Sequence, residues 1–370
     1  MVRQQGSRAR KMTRQRPGGT TEDDMETGKV ASGRRLRTTV LVTLIVALLV
    51  LLSLLSVALG ALSVPLDQVV RSVLGHPPSR LVDNVIWSVR VPRTLLGLTT
   101  GAALGLSGAL MQALTRNPLA DPGILGVSAG ASFAIVMAVG VFGVASLYGY
   151  VWFAFGGALV ASVVVFFLGR MGRSGATPVK LALAGVAITS LLQSFTSAVV
   201  LTDQDALDRY RFWSAGTLAD QDSGELVRIL PFLVVGAVLA LACAPALNSM
   251  ALGDDVAASL GRRLGLVRLQ GVTAVVLLTG ASVAVIGPVV FLGLVVPHIA
   301  RVLAQYAGIG PDYRWLLPLS AALAPALLLS ADILGRMVDR PTEIQAGVLV
   351  AFLGGPFFIV LVRRRKLAEV

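Results

Sequence analysis

WSVRVPRTLLGLTTGAALGLSGALMQALTRNPLADPGILGVSAGASF, residues 87–133, decides how the chain folds. Gly97, Gly101 and Gly105 recur every four residues, and Gly108 follows three later. On a helix over 92–114 they share one side, which then carries almost no side chains and lets a second backbone approach closely. Met111 and Gln112 close that helix, and an amide inside an apolar helix faces a cavity or a neighbouring helix more readily than lipid. Gly126 and Gly130 repeat the spacing on a second helix, after a short loop holding Pro118 and Pro122. Gly97, Gly101, Gly105, Gly108, Met111 and Gln112 are therefore read as packing or lining residues of a pore helix.

The rest of the chain has the composition of such helices. Of its 370 residues 55% are hydrophobic and only 14% charged, against roughly 25% charged in an ordinary soluble domain. Apolar runs fall at 38–62, 92–114, 124–142, 150–169, 180–201, 227–247, 267–287, 290–305, 314–334 and 343–362. Set against a hydrocarbon core about 30 Å thick, they predict an all-α polytopic membrane protein with about ten transmembrane helices in one domain, 38–362. The first run is too long for the core of a signal peptide and stays as the first helix.

Residues 1–37 hold ten basic and four acidic side chains with almost no aliphatic ones, which predicts a disordered tail. A second basic tail, 363–370, holds four basic residues and one acidic. Nine of the twelve net positive charges thus lie at the two ends, so no basic face for nucleic acid is built and no such partner is expected. Arg116, Arg170, Arg173, Arg262, Arg263 and Arg314 sit at or beside the connections 115–123, 170–179, 248–266 and 306–313, whereas Asp67, Asp83, Asp203, Asp205, Asp208, Asp220, Asp222 and Glu225 sit on the others, together with Arg80, Arg90, Arg209 and Arg211. The positive-inside bias places the first set and both termini in the cytoplasm, which an even number of spans allows, and sets the basic tails against anionic membrane lipid.

Chemistry is sparse. A GxxxxGK[ST] phosphate loop is missing, since Gly28-Lys29 is followed by Val30, so the chain is not expected to hydrolyse ATP. HExxH does not occur, His76 and His298 are the only histidines, and Cys243 is the single cysteine, read as a buried packing residue. Catalytic residues, a metal site and a cofactor on this chain are not expected. A many-span protein of this kind is a transporter, a channel or a subunit of one.

Six motifs now stand together: R-V-P-R-x-L at 90–95, G-A-A-L-x-x-S-G-A-x-M-Q at 101–112, N-P-L-A-D-P-G at 117–123, L-G-D-D-V-A-A-S-L-G at 252–261, F-L-G-L-V-V-P-H-I-A-R at 291–301 and G-G-P-F-F at 354–358. From about Trp87 to the C-terminus the chain resembles the permease subunits of binding-protein-dependent ABC importers for iron-siderophores, haem and vitamin B12. The resemblance implies the type II ABC importer permease fold in a bacterial cytoplasmic membrane. It implies a second permease subunit, identical or homologous, two ATP-binding subunits that carry ATP and Mg, and an extracytoplasmic substrate-binding protein. The expected substrate is a ferric siderophore, with haem or cobalamin as alternatives. An ion-coupled secondary transporter remains open as a different class, for which Asp332 is the candidate carboxylate, and so does a scaffold or sensor subunit.

Site residues follow from the same motifs. Connection 248–266 has a polar start, Gly253, Asp254 and Asp255, then Ala257 and Ala258, then Leu260 and Gly261. An acidic first turn and a terminal glycine suit a short helix able to lie in a groove of another protein. The resemblance makes it the helix that couples the permease to its ATPase; the family pattern often has Glu where this chain has Asp254 and Asp255, so the reach is shorter. Arg90 and Arg93 bracket Pro92 at the extracytoplasmic mouth and Arg336 lies in the last connection. The resemblance implies that all three dock carboxylates of the binding protein, with local pairing to Asp332, Asp339 or lipid phosphate as the alternative. It also implies a cytoplasmic gate at Asn117, Pro118 and Leu119, with Thr177 in a second gate segment.

Overall fold

The computed structural model describes residues 20–144, 147–171, 178–219, 223–340 and 342–366. Among them there is no strand, and the helices in order are α1 (Thr20–Ala58), α2 (Leu66–Val73), α3 (Arg80–Asn84), α4 (Val91–Thr115), α5 (Val127–Gly140), α6 (Leu147–Arg170), α7 (Pro178–Val200), α8 (Gln204–Ser214), α9 (Ser223–Ala242), α10 (Ala244–Ala251), α11 (Asp254–Ser259), α12 (Leu264–Ile286), α13 (Leu292–Tyr306), α14 (Tyr313–Val338) and α15 (Ala346–Lys366). A π-helical turn, Val85–Arg90, joins α3 to α4, and a 3-10 turn, Pro122–Leu125, precedes α5.

Nine of the ten apolar runs overlap one long helix each, α1, α4, α5, α6, α7, α12, α13, α14 and α15, and the run 227–247 covers most of α9 and extends into α10. Among the described residues, seven helical stretches are long and apolar enough to cross a membrane, and the apolar helices Val127–Gly140 and Ala346–Val360 are shorter. The expected outer boundaries shift. Helix α1 begins at Thr20, well inside the segment expected to be disordered, and residues 1–19 lie outside the described ones. Extending an existing helix needs no new nucleus. Likewise α15 runs on through Arg363 to Lys366, the first half of the expected basic tail.

Helices α4, α12 and α14 are buried along most of their length, while α1 and α7 expose most of theirs. Lipid tails are as apolar as leucine, so close backbone approach and shape hold these three together. The glycine stripe provides it. A Cβ on Gly97 would stand 2.7 Å from Leu329, and one on Gly101 2.7 Å from the Pro325 backbone. Gly105 lies against Ser320 and Ala324, so three of the four stripe glycines seat α14, and Gly108 meets the backbone of Gly293 on α13. Gly130 of α5 meets Gly157 of α6 in the same backbone-to-backbone way. Cys243 is buried, as the sequence suggests.

Two ends of the bundle differ in character. Helices α2, α3 and α8 lie with the C-terminal ends of α1, α7 and α14 and the start of α4 (the α8 end), and α10 and α11 lie with the end of α4 and the starts of α12 and α14 (the α11 end).

Candidate functional site

The last turn of α4 connects three features. Pro297 lacks an N–H, so the carbonyl of Gly293 one turn earlier in α13 has no partner within its own helix. The Gln112 side chain supplies one: its Nε2 donates to the carbonyls of Gly293 at 3.3 Å and Leu294 at 3.2 Å. Its Oε1 accepts from Arg301 at 2.8 Å. Of the two roles open to this amide, the structure chooses a helix partner over a cavity. Met111 is also buried. Within this chain the four glycines and Gln112 face α13 or α14, and Met111 faces the core.

One turn on, α4 stops at Arg116, whose φ of 49° lies in the left-handed region. Its N–H bonds the carbonyl of Ala113, and the N–H of Asn117 bonds that of Gln112, a Schellman closure with arginine where glycine is usual. For an L-residue that conformation costs about 1 kcal/mol. The candidate gate starts at the next residue: the Asn117 Oδ1 accepts from the N–H of Leu119 at 3.0 Å, and its carbonyl from Ala120 at 3.0 Å. Asn117 is exposed, and Pro118 and Leu119 are half-buried. Thr177 lies outside the described residues.

The Arg116 guanidinium reaches the carboxylate of Asp254, whose other oxygen accepts from Arg268 of α12 at 2.8 Å. Asp254 therefore joins the end of α4, the start of α11 and the first turns of α12. Helix α11 follows the expected pattern of Gly253, an acidic first turn at Asp254 and Asp255, and a glycine stop. Gly261 has φ of 77°, and the bonds from Gly261 to Ala258 and from Arg262 to Ala257 close a second Schellman motif. Ala257 is buried beneath the helix; Asp255, Ala258 and Leu260 are exposed. On the same end the amide of Asn248 in α10 donates to Asp312, the N-cap of α14, and its Oδ1 accepts from the N–H of Tyr313 at 2.9 Å. Burial gives the largest single push on the Asp312 carboxyl, upward, but the backbone N–H of Arg314, the Asn248 amide and the charges of Arg314 and Arg34 together outweigh it and hold the carboxyl below the usual carboxylate range.

The α8 end overturns one expectation. Arg90, Arg93 and Arg336 do not stand free at a mouth; all three are buried and already partnered. Arg90 donates to the carbonyls of Val57 at 2.9 Å, Ala58 at 2.8 Å and Leu62 at 2.7 Å, which caps the C-terminus of α1. Arg93 holds Asp332 through two of its nitrogens, at 3.0 and 2.7 Å, and Glu343 at 2.7 Å. Arg336 pairs with Asp332 at 2.8 Å and donates to the carbonyls of Ser56 at 2.9 Å and Leu59 at 2.8 Å. A guanidinium enters an apolar interior only with its donors satisfied. Here two carboxylates and the carbonyl end of α1, the negative pole of its dipole, satisfy three of them. Local pairing to Asp332 is the alternative the sequence left open, and it is what the geometry adopts for Arg93 and Arg336. Sequence reasoning missed Glu343, Ser56 and Arg268, none of which lies in the motifs.

A bundle of apolar helices with a glycine-seated central helix and a small, partly exposed helix tied to its end is the framework of a membrane transporter. The sequence profile of the FecCD transport family matches residues 48–364. The ferric enterobactin transport system permease protein FepD of Escherichia coli (strain K12) is 46% identical over 86% of this chain and 93% of its own length. The iron(3+)-hydroxamate import system permease protein FhuB of Bacillus subtilis (strain 168) is 40% identical over 86% of this chain and 82% of its own. A solved structure of a metal-chelate type ABC transporter in an inward-facing conformation superposes with a TM-score of 0.75 at 27% identity, covering 86% of this chain and 97% of that one. The chain belongs to the FecCD transport family and is the membrane-spanning permease subunit of an ABC importer.

Proposed function

We propose that this permease imports ferric siderophores as one of two permease subunits, with two ATP-binding subunits at the α11 end and a substrate-binding protein delivering cargo at the α8 end. The observation that carries the reading is α11 itself: Ala257 anchors it, Val256 and Leu260 are 44% and 61% exposed, and Asp254 ties it to the end of α4 beside Asn117, Pro118 and Leu119. A partner that displaced α11 would act one ion pair away from the candidate gate. The resemblance to the two iron-siderophore permeases supports the cargo. The absence of a phosphate loop supports placing ATP and Mg on the partner subunits. Basic connections at the α11 end support a cytoplasmic position for that end and both termini. Exposed Val179, Leu183 and Val186 of α7 and Phe352 and Leu353 of α15 offer surface for the second permease subunit. With Arg90, Arg93 and Arg336 internal, the binding protein would rest on α2, α3 and α8, over the frame those arginines hold.

Against an ion-coupled mechanism stands Asp332, since a coupling ion would have to displace Arg93 or Arg336 from it. The test is uptake by sealed vesicles that contain this chain and its ATP-binding subunits, supplied with binding protein and radiolabelled ferric enterobactin, ferric hydroxamate, haem or cobalamin in parallel. Accumulation of a ferric siderophore that requires ATP and survives collapse of the ion gradients is expected. Uptake driven by an ion gradient without ATP would refute the reading, and preference for haem or cobalamin would replace the cargo.

A further inference from the structure

Arg116 poses a question the packing does not answer. It sits at the left-handed closing position of α4, where glycine would serve without strain, as Gly261 does at the end of α11. Its guanidinium reaches outward to Asp254, and both side chains are about half exposed, at 44% and 40%. Exposed ion pairs add little to stability. The strain at Arg116 and the gain from its pair are of similar size, so the residue does not serve the resting fold. Backbone strain that stability does not explain points to function.

What Arg116 does have is position. It is the junction between a helix locked by four glycines and Gln112 on one side and the Asn117-Pro118-Leu119 segment on the other. Its guanidinium bonds to Asp254 of α11. Asp254 is also held by Arg268, so α11 and the start of α12 move as one piece with respect to that pair. A weak, solvent-screened pair suits a contact that must shift during a cycle, because breaking and remaking it costs little.

We infer that the Arg116–Asp254 pair is the link through which displacement of α11 reaches the 117–119 segment, and that Arg116 is a positioning residue for the transport cycle, kept in a strained conformation for that reason. The inference rests on the proposed reading of α11 as the contact for the ATP-binding subunits. Two consequences separate it from a structural role. Arg116→Gly removes the charge and relieves the backbone, so the chain should fold as well as before and should still assemble with its ATP-binding subunits. Arg116→Lys keeps a cation in reach of Asp254 and should recover part of the function.

The experiment uses the complete transporter in vesicles, with radiolabelled ferric enterobactin carried by its binding protein. ATP hydrolysis is measured with and without the loaded binding protein, and uptake is measured beside it. For Arg116→Gly the expected result is unchanged basal hydrolysis, loss of its stimulation by loaded binding protein, and uptake lowered about tenfold; Arg116→Lys should lie between this variant and the wild type. Wild-type uptake and stimulation in Arg116→Gly would overturn the inference while leaving the reading of α11 intact. Loss of basal hydrolysis with dissociation of the complex would overturn it too, by showing an assembly role. If the wild-type chain itself takes up cargo without ATP, the reading of α11 fails and the inference with it.

Discussion

The two ends of the bundle use the same chemistry, guanidinium on carboxylate, for opposite purposes. At the α8 end Arg93, Asp332 and Arg336 are buried, with side-chain exposures of 7%, 0% and 2%. At the α11 end Arg116 and Asp254 are exposed by 44% and 40%. Burial converts an ion pair into a fixture: removing one member leaves a charge without water, at a cost of about 3–5 kcal/mol. Exposure leaves a contact worth about 1 kcal/mol or less, free to open and close. The first end therefore frames α1, α4, α14 and the segment before α15, and the second, in the inference drawn above, joins parts that move.

The contrast breaks if the buried end tolerates change. Asp332→Ala leaves Arg93 with Glu343 as its one carboxylate and Arg336 with none, and should give the largest effect, about 3–5 kcal/mol of stability, seen as a sharp fall in monodisperse protein and in melting temperature after detergent extraction. Next comes the glycine stripe. Gly101→Leu forces a branched side chain into the Pro325 backbone, and its cost of about 1–3 kcal/mol or more should lower the melting temperature by an amount that Gly261→Ala does not approach. Gly261→Ala meets no atom within 4 Å and bears only the strain of its left-handed backbone.

Gln112→Leu should follow at about 1–3 kcal/mol, because the Gly293 carbonyl freed by Pro297 then has no donor; Gln112→Glu, which keeps the acceptor for Arg301 and loses the donor, should be no better. Asp254→Asn should hardly change the melting temperature. A fall comparable to that of Asp332→Ala would erase the difference between the two ends.

The smallest expected effect is a pH dependence at the α11 end. Asp312 titrates below the usual carboxylate range in the folded chain, so its contribution is fully present above the ordinary carboxylate pKa and is lost as pH falls through the lowered value. Comparing Asp312→Asn with the wild type between neutral pH and pH about 3 should show the stability curves converging as pH falls. A gap that widens with acidity would reverse the assigned sign.

How much of this was legible depends on sequence distance. The α4 stripe announces itself because four glycines at helical spacing need nothing beyond their own segment, and hydropathy places the ten helices for the same reason. The acidic start and glycine stop of α11 are equally local. The direction in which Arg93 turns is not, because Asp332 lies 239 positions away and Glu343 250. An arginine beside a proline near a helix start reads as a surface charge until the partner is seen. Gln112 stands out in the sequence as an amide in an apolar helix, but its task depends on Pro297 removing one hydrogen bond from a helix that the sequence does not show to be adjacent. The early start of α1 escaped for another reason, since low hydrophobicity argues against independent folding but not against continuation of a helix already formed.

Hydrogen exchange on the assembled transporter, with and without ATP trapped in the ATP-binding subunits, tests the central claim most directly. Trapping should change protection in 248–266 and 116–120 together, while 56–62, 90–96 and 332–340 stay as protected as before. A change in 248–266 that leaves 116–120 untouched, or an opening of the buried charge cluster on trapping, would contradict the division of the molecule into a fixed end and a moving one.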